Sequence, residues 1–238
     1  AASAEVQELA RRLQAPVTAH RSGKGIVPED TPFGLSMVAA WEYWKDCDLL
    51  IGIGSRLELP YMRWRWFPKG IKVLRLDIDP TEMVRLRPDA GMVCDAADGT
   101  AALNAALAAR GGAARPDCTE ELAAMKARAR AAISAVSPQM AYLDVIRAVL
   151  PRDGFFCEEI SQMGFTARFG FPVNAPRQYV TCGYQDNLGF GCNTALGVKV
   201  ANPDKAVVSV SGDGGFLFGV QELATAVRYR IALVTIVF

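Results

Sequence analysis

Residues Val207 to Phe216 read VVSVSGDGGF: an apolar run, then one carboxylate set among three glycines, then a helical stretch. Glycines let a backbone turn sharply and approach a ligand closely. The free amides at the N-terminus of a following helix favour anions. A carboxylate is a poor direct neighbour for a phosphate, but it becomes useful when a divalent cation lies between the two. Mg²⁺ is held in this way, by one or two carboxylates together with substrate phosphates. The residue types therefore fit a metal–diphosphate site with Asp213 as the metal ligand. They also fit a plain strand-to-helix turn with Asp213 as its N-cap.

Two other stretches carry polar groups at the ends of apolar runs. Glu158 to Gln162, EEISQ, offers Ser161 and Gln162 as donors, or Ser161 as a helix cap. Cys182 to Gly191, CGYQDNLGFG, sets the bulky Leu188 before a Gly-x-Gly, with Asp186 or Asn187 able to cap a helix. Other chemistries find little support. The six cysteines form no CxxC pair, and the single histidine, His20, lies in the polar loop HRSGKG with no Cys or His beside it. Zinc and a histidine-based nucleophile are thus not expected, and the cysteines read as reduced, mostly buried thiols. A net charge of +1 gives no electrostatic footprint for nucleic acid. No apolar run is long enough to cross a membrane, and no basic-then-apolar leader is visible, so the cytoplasm is the expected compartment.

The elements that must position these groups alternate. Val6, Leu9, Ala10 and Leu13 fall at helical spacing, Pro16 to Ala19 reads as a short strand, and Leu35 to Trp44 as a helix. Asp48 to Gly54 and Ile71 to Ile78 are continuous apolar runs, as expected of strands buried on both faces. Val93-Cys94 reads as a brief strand and Ala101 to Ala109 as a helix. Helix Glu120 to Ala135 then leads to helix Gln139 to Val149, with Pro138 at its first turn. Strand Phe155 to Glu159, helix Leu188 to Val200, strand Ala206 to Ser211, helix Gly215 to Arg228 and strand Ile231 to Phe238 follow. The fold class is α/β, with two doubly wound parallel-sheet, Rossmann-like units, both incomplete. Residues 1–109 form the first unit, 110–136 a linker and 137–238 the second unit.

The run GDGGFLFGVQELATAVRY, followed by IALVTIVF, resembles the thiamine-diphosphate (ThDP) binding signature of the acetolactate synthase and benzoylformate decarboxylase family. That signature opens with GDG and closes with an Asn-Asn pair after the next strand, where this sequence reaches Phe238. The EEISQ and CGYQDNLGFG stretches match at the expected spacing. Small residues are more usual where Asp186 and Asn187 stand. Residues Pro16-Val17, Gly23 to Glu29, Asp46 to Arg56 and Leu76 to Pro80 resemble the family's central domain. Gly52-x-Gly54 lacks the third glycine of a dinucleotide fingerprint, since Leu57 stands there. Some members bind FAD through this domain. The stretch Leu57 to Phe67 departs from those members, so FAD is not favoured; its arginines and tryptophans read as an aromatic packing loop with cation–π contacts.

The resemblance implies ThDP and Mg²⁺ as cofactors. Asp213 would hold the metal, Gly212, Gly214, Gly215 and Phe216 would frame the diphosphate, and Ser161 and Gln162 would donate to it. Leu188 would prop the cofactor in a bent shape, with the backbone at Asp186 and Leu188 holding the aminopyrimidine. It further implies a 2-oxo acid substrate, decarboxylation or carboligation, and a homodimer or homotetramer. No catalytic residue is expected here, because the family's glutamate belongs to a preceding pyrimidine-binding domain. The sequence thus reads as part of a longer chain, inactive alone and cut within its central domain. Two other readings stand beside this one: a module binding FAD or NAD through the first unit, and a non-catalytic relative serving as a scaffold.

Overall fold

A computed structural model describes residues 2–111 and 115–238. Part of the expected linker, residues 112–114, lies outside them. The described residues form an α/β fold in which every paired strand is parallel.

In the first unit, helix α1 (Ser3–Leu13) leads into β1 (Val17–Thr18), which pairs with β2 (Gly34–Leu35). Helix α2 (Met37–Trp44) is capped by the Ser36 hydroxyl. Strands β3 (Leu49–Ile53), β4 (Lys72–Asp77) and β5 (Ala90–Val93) pair in chain order. Between them lie a π-type turn, Leu59–Trp64, and α3 (Pro80–Arg85), both absent from the sequence reading. Asp79 caps α3 and Pro80 starts it. Helix α4 (Ala96–Arg110) packs on α1, so that Val6, Val27, Ile53 and Ala96 share one cluster. The arginines of the tryptophan-rich loop make no cation–π contacts among the described residues. Arg63 pairs with Glu58, while Trp41, Trp44, Trp64 and Trp66 pack on one another.

Much of the expected linker is helix. In α5 (Thr119–Ser134), Leu122, Met125 and Ala129 repeat at helical spacing and pack on Leu35, Ala39 and Ala40. Helix α6 (Gln139–Val149), strand β6 (Phe155–Glu158), helix α7 (Gln162–Gly170), strand β7 (Tyr179–Thr181), helix α8 (Gly191–Ala201) and strand β8 (Val207–Ser211) follow. The expected helix from Gly215 to Arg228 is broken into α9 (Asp213–Leu217), a 3-10 turn and α10 (Leu223–Arg228), before β9 (Val234–Val237). The break falls at Gly219, where the Asn193 side chain occupies the space a Cβ would need.

The second sheet runs β7-β6-β8-β9. Helices α6 and α7 cover one face through Met140, Leu143, Ile146, Met163 and Ala167, which meet Phe156, Tyr179 and Val210. Helix α8 covers the other through Ala195, against Cys157 and Val207. Burying a large apolar side chain of this kind contributes about 1.5–3 kcal/mol. All six cysteines are free thiols, but only Cys157 and Cys192 are buried; the other four are half-buried at loops and element ends, not mostly core as expected. No helix is long and apolar enough to cross a membrane, among the described residues.

Candidate functional site

Strand order fixes where a ligand can bind. From β6 the chain moves outward to β7, then returns to place β8 on the other side of β6. The connections after β6 and β8 therefore diverge, and a crevice opens beyond the carboxyl ends of these two strands. A cavity of about 490 Å³ lies there. It gathers Ser161 and Gln162 after β6, Gly212, Asp213, Gly214 and Gly215 after β8, and Leu188 from the loop before α8. Tyr142, Met163 and Phe238 complete its apolar wall. Of the residues picked out in the sequence, Asp186 and Phe216 do not line this cavity.

Each lining group has a local cause. Gly212 is the N-cap of α9 and Asp213 its first residue. Asp213 is not the N-cap, and its exposed carboxylate has no hydrogen-bond or ion-pair partner among the described residues. Its amide donates to the carbonyl of Phe238 at 3.2 Å. The amides of Gly214 and Gly215 stand in the first turn, where no intrahelical acceptor exists. A Cβ built on Gly214 would meet nothing within 4 Å, so the backbone there is open to close approach. Ser161 caps α7, accepting from the Gly164 amide at 3.1 Å, and still faces the cavity. Leu188 is 49% exposed, and Gly189 after it has φ +82°, a conformation natural to glycine. Helix α8 starts at Gly191, so neither Asp186 nor Asn187 caps it. Free amides, side-chain donors, an unpaired carboxylate and an apolar wall suit a diphosphate bridged to a divalent cation and joined to a ring system. No group of three or more metal-ligating side chains occurs among the described residues, so a cation here would need the ligand's own oxygens.

Behind the cavity lie charged residues that sequence reasoning missed. Strand alternation sends the consecutive carboxylates Glu158 and Glu159 to opposite faces. Both are fully buried. Glu158 accepts from Arg168 at 2.9 and 3.0 Å and from the Thr181 hydroxyl. Burial pushes its carboxyl up, against the pull of Arg168. Arg168 also grips Asp186, at 2.6 Å and 3.1 Å. Burial opposes the Arg168 charge, but these two acids raise its pKa. Burial likewise opposes the Asp186 charge, yet the Arg168 hydrogen bonds hold its carboxyl below the usual range. Asp186 takes a third bond, from Arg21 of the first unit at 3.1 Å. Its φ of +51° is thus held by two arginines. The one signal in the sequence was the pair of acids closing an apolar strand.

Arg21 and His20 belong to the polar loop HRSGKG, which wedges against the second unit. Lys24, buried, pairs with Glu29 at 2.7 Å. Gly25, with φ +85°, abuts the Ala175 carbonyl so closely that a Cβ would lie 2.2 Å from it. His20 Nδ1 lies 3.3 Å from Glu58, and burial lowers its pKa to about 4, so the imidazole is neutral at pH 7. Asp77 and Asp79, at the first sheet's edge, are used locally. Asp77 accepts from the Asp79 amide, and Asp79 from the Thr81 amide.

Residues 1–105 match the thiamine pyrophosphate enzyme central domain, and residues 159–238 match the thiamine pyrophosphate enzyme C-terminal TPP binding domain. The chain is 34% identical to a probable 2-ketoarginine decarboxylase of Pseudomonas aeruginosa, over 95% of this chain and 41% of that protein. It is 32% identical to a probable acetolactate synthase large subunit of Methanocaldococcus jannaschii, over 100% of this chain and 43% of the relative. It is 30% identical to glyoxylate carboligase of Escherichia coli O157:H7, over 97% and 42%. The chain thus spans less than half the length of these curated relatives. With both domain matches in order along one sequence, this chain belongs to the thiamine pyrophosphate enzyme family.

Proposed function

We propose that the protein holds thiamine diphosphate through Mg²⁺ in the cavity between the ends of β6 and β8, and acts on 2-oxo acids by decarboxylation, carboligation or both. The observation that carries this reading is convergence. Three segments separated in sequence bring the expected donor set to one crevice at the point where strand order reverses. Relatives named for 2-ketoarginine decarboxylation, acetolactate synthesis and glyoxylate carboligation support the substrate class.

Each residue then has a task. Asp213 supplies the protein's carboxylate to the metal. The amides of Gly214 and Gly215 meet the diphosphate, with Gly212 and Phe216 framing that turn. Ser161 and Gln162 add side-chain donors. Leu188 presents an apolar prop beside them and its backbone meets the pyrimidine, while Asp186, outside the cavity, anchors the same loop through Arg168 and Arg21. These residues would hold thiamine diphosphate, which when bound would supply an electron sink for decarboxylation. The apolar wall of Tyr142, Met163 and Phe238 would limit water in the cavity. In the family the acid–base glutamate belongs to a pyrimidine-binding domain, which is neither of the two domains matched in this chain. The protein works as a homodimer or homotetramer in the cytoplasm.

Calorimetric titration of the full natural protein with thiamine diphosphate, with and without Mg²⁺, tests the site. Binding is expected only with the metal, and Asp213→Ala is expected to abolish it while leaving the exposed position's stability within about 0.5 kcal/mol. Unchanged binding by Asp213→Ala would remove Asp213 as the metal ligand.

A further inference from the structure

We propose that Glu159 is the positioning residue of the cofactor cavity, fixing the Leu188 loop to the Gly212–Gly215 turn through one buried carboxylate. The proposal rests on the reading of the cavity as a thiamine diphosphate site.

Glu159 is 0% exposed and directly follows β6. Its Oε1 accepts from the Gly189 amide at 2.7 Å. Its Oε2 accepts from the Gly191 amide at 3.0 Å and from the Ser211 hydroxyl at 2.9 Å. Gly189 adjoins Leu188, and Ser211 adjoins Gly212. A Cβ on Gly215 would lie 1.7 Å from Oε1, so the carboxylate also presses against the first turn of α9. One side chain thereby touches the walls that rise from β6, from β8 and from the loop before α8.

Glu159 differs from its neighbour Glu158 in having no cationic partner within ion-pair distance among the described residues. A buried anion without a cation is costly unless hydrogen bonds replace its water. Every group it meets is a donor, two N–H and one O–H. A carboxylate can accept from all three, whereas a carboxamide of the same size must aim its NH₂ at one of them. The acid is therefore required by what it orders.

The test uses Glu159→Gln in the full natural protein, read by amide hydrogen exchange over residues 187–191 and 213–216 and by calorimetry with thiamine diphosphate and Mg²⁺. Phe156→Leu is the stability control, since Phe156 sits in β6, three residues before Glu159, but faces the α6–α7 core. Glu159→Gln is expected to speed exchange in both segments and to weaken binding by about tenfold or more, the cost of one mispaired buried donor. Phe156→Leu is expected to leave both readouts in place at comparable loss of thermal stability. Ser211→Ala, which removes one of the three bonds, shifts both readouts in the same direction by less, and decides the question if Glu159→Gln does not fold. Unchanged exchange in the acid-site variants, or an equal loss of affinity in Phe156→Leu, overturns the proposal. If the wild type does not bind thiamine diphosphate, the cofactor reading falls, and the exchange comparison alone decides whether Glu159 fixes the loop.

Discussion

The two larger parallel sheets, β3-β4-β5 and β7-β6-β8-β9, carry glycine-rich turns at the same end, yet one turn is plugged and the other open. After β3, the space above Gly52 is filled by Leu57, whose side chain would stand 2.8 Å from a Cβ there. Leu57 occupies the position of the missing fingerprint glycine and keeps a glycine-like φ of +54°, a strained choice for a leucine. Beneath it Arg75, fully buried, donates to the Ser55 carbonyl at 2.8 Å and to Glu82 at 3.1 Å. After β8, nothing stands within 4 Å of the Gly214 position, and the Asp213 carboxylate faces outward. Strand order differs too. The first sheet runs β3-β4-β5 without reversal among its described strands, while the second reverses at β6 and β8. A glycine after a parallel strand makes a turn; it makes a ligand site only where the neighbouring connections diverge and no side chain folds back into the gap.

The two edges therefore respond differently to damage. The largest effect is expected from Arg75→Met, which strips a buried cation from the Glu82 carboxylate and from the carbonyls of Ser55, Glu82 and Leu86. It should cost about 3–5 kcal/mol in chemical denaturation and leave cofactor affinity unchanged. A parallel loss of affinity would show that the two edges are linked. Next, Gly215→Ala should lose about 3 kcal/mol more than Gly214→Ala, because only the first forces a Cβ into Glu159. Similar melting curves for the pair would contradict the packing described. The smallest effect is a pH response at the seam between units. Burial holds His20 at about 4, below its unfolded value, so the unfolded chain binds the proton more tightly. Stability is then fully present above about pH 6.5, and falls by about 1 kcal/mol on going from pH 7 to 5.5. His20→Gln should flatten that slope in denaturation midpoints measured across this range.

Much of this was legible before the structure. The apolar runs at Asp48 to Gly54, Ile71 to Ile78 and Ala206 to Ser211 announce parallel strands, but the expected burial on both faces fails in β3, where only Gly52 is buried. The GDGG turn follows one of them directly. What escaped was short or non-local. β2 has two residues, and β7 has three. Helix α7, QMGFTARFG, begins and ends among glycines that favour other conformations, and tertiary burial of Met163 and Ala167 holds it helical. The side-chain partners of Glu159 and Asp186 could not be read, because they come from segments distant in sequence. A carboxylate bound by amides leaves no pattern in side-chain types. The polar loop HRSGKG reads as exposed by composition, yet its Arg21 and Lys24 are buried against the second unit.

The bond between Arg21 and Asp186 joins residues 165 apart. Closing so large a loop costs chain entropy that grows only slowly with length, but contacts this distant cannot form until both flanking units have taken shape. During synthesis the first unit emerges long before Asp186 does, so Arg21 waits for its partner. The segment carrying Leu188 is thereby fastened late, by a residue made early. The cavity beside β6 and β8 thus reaches its final shape only in a chain whose two halves have already found each other.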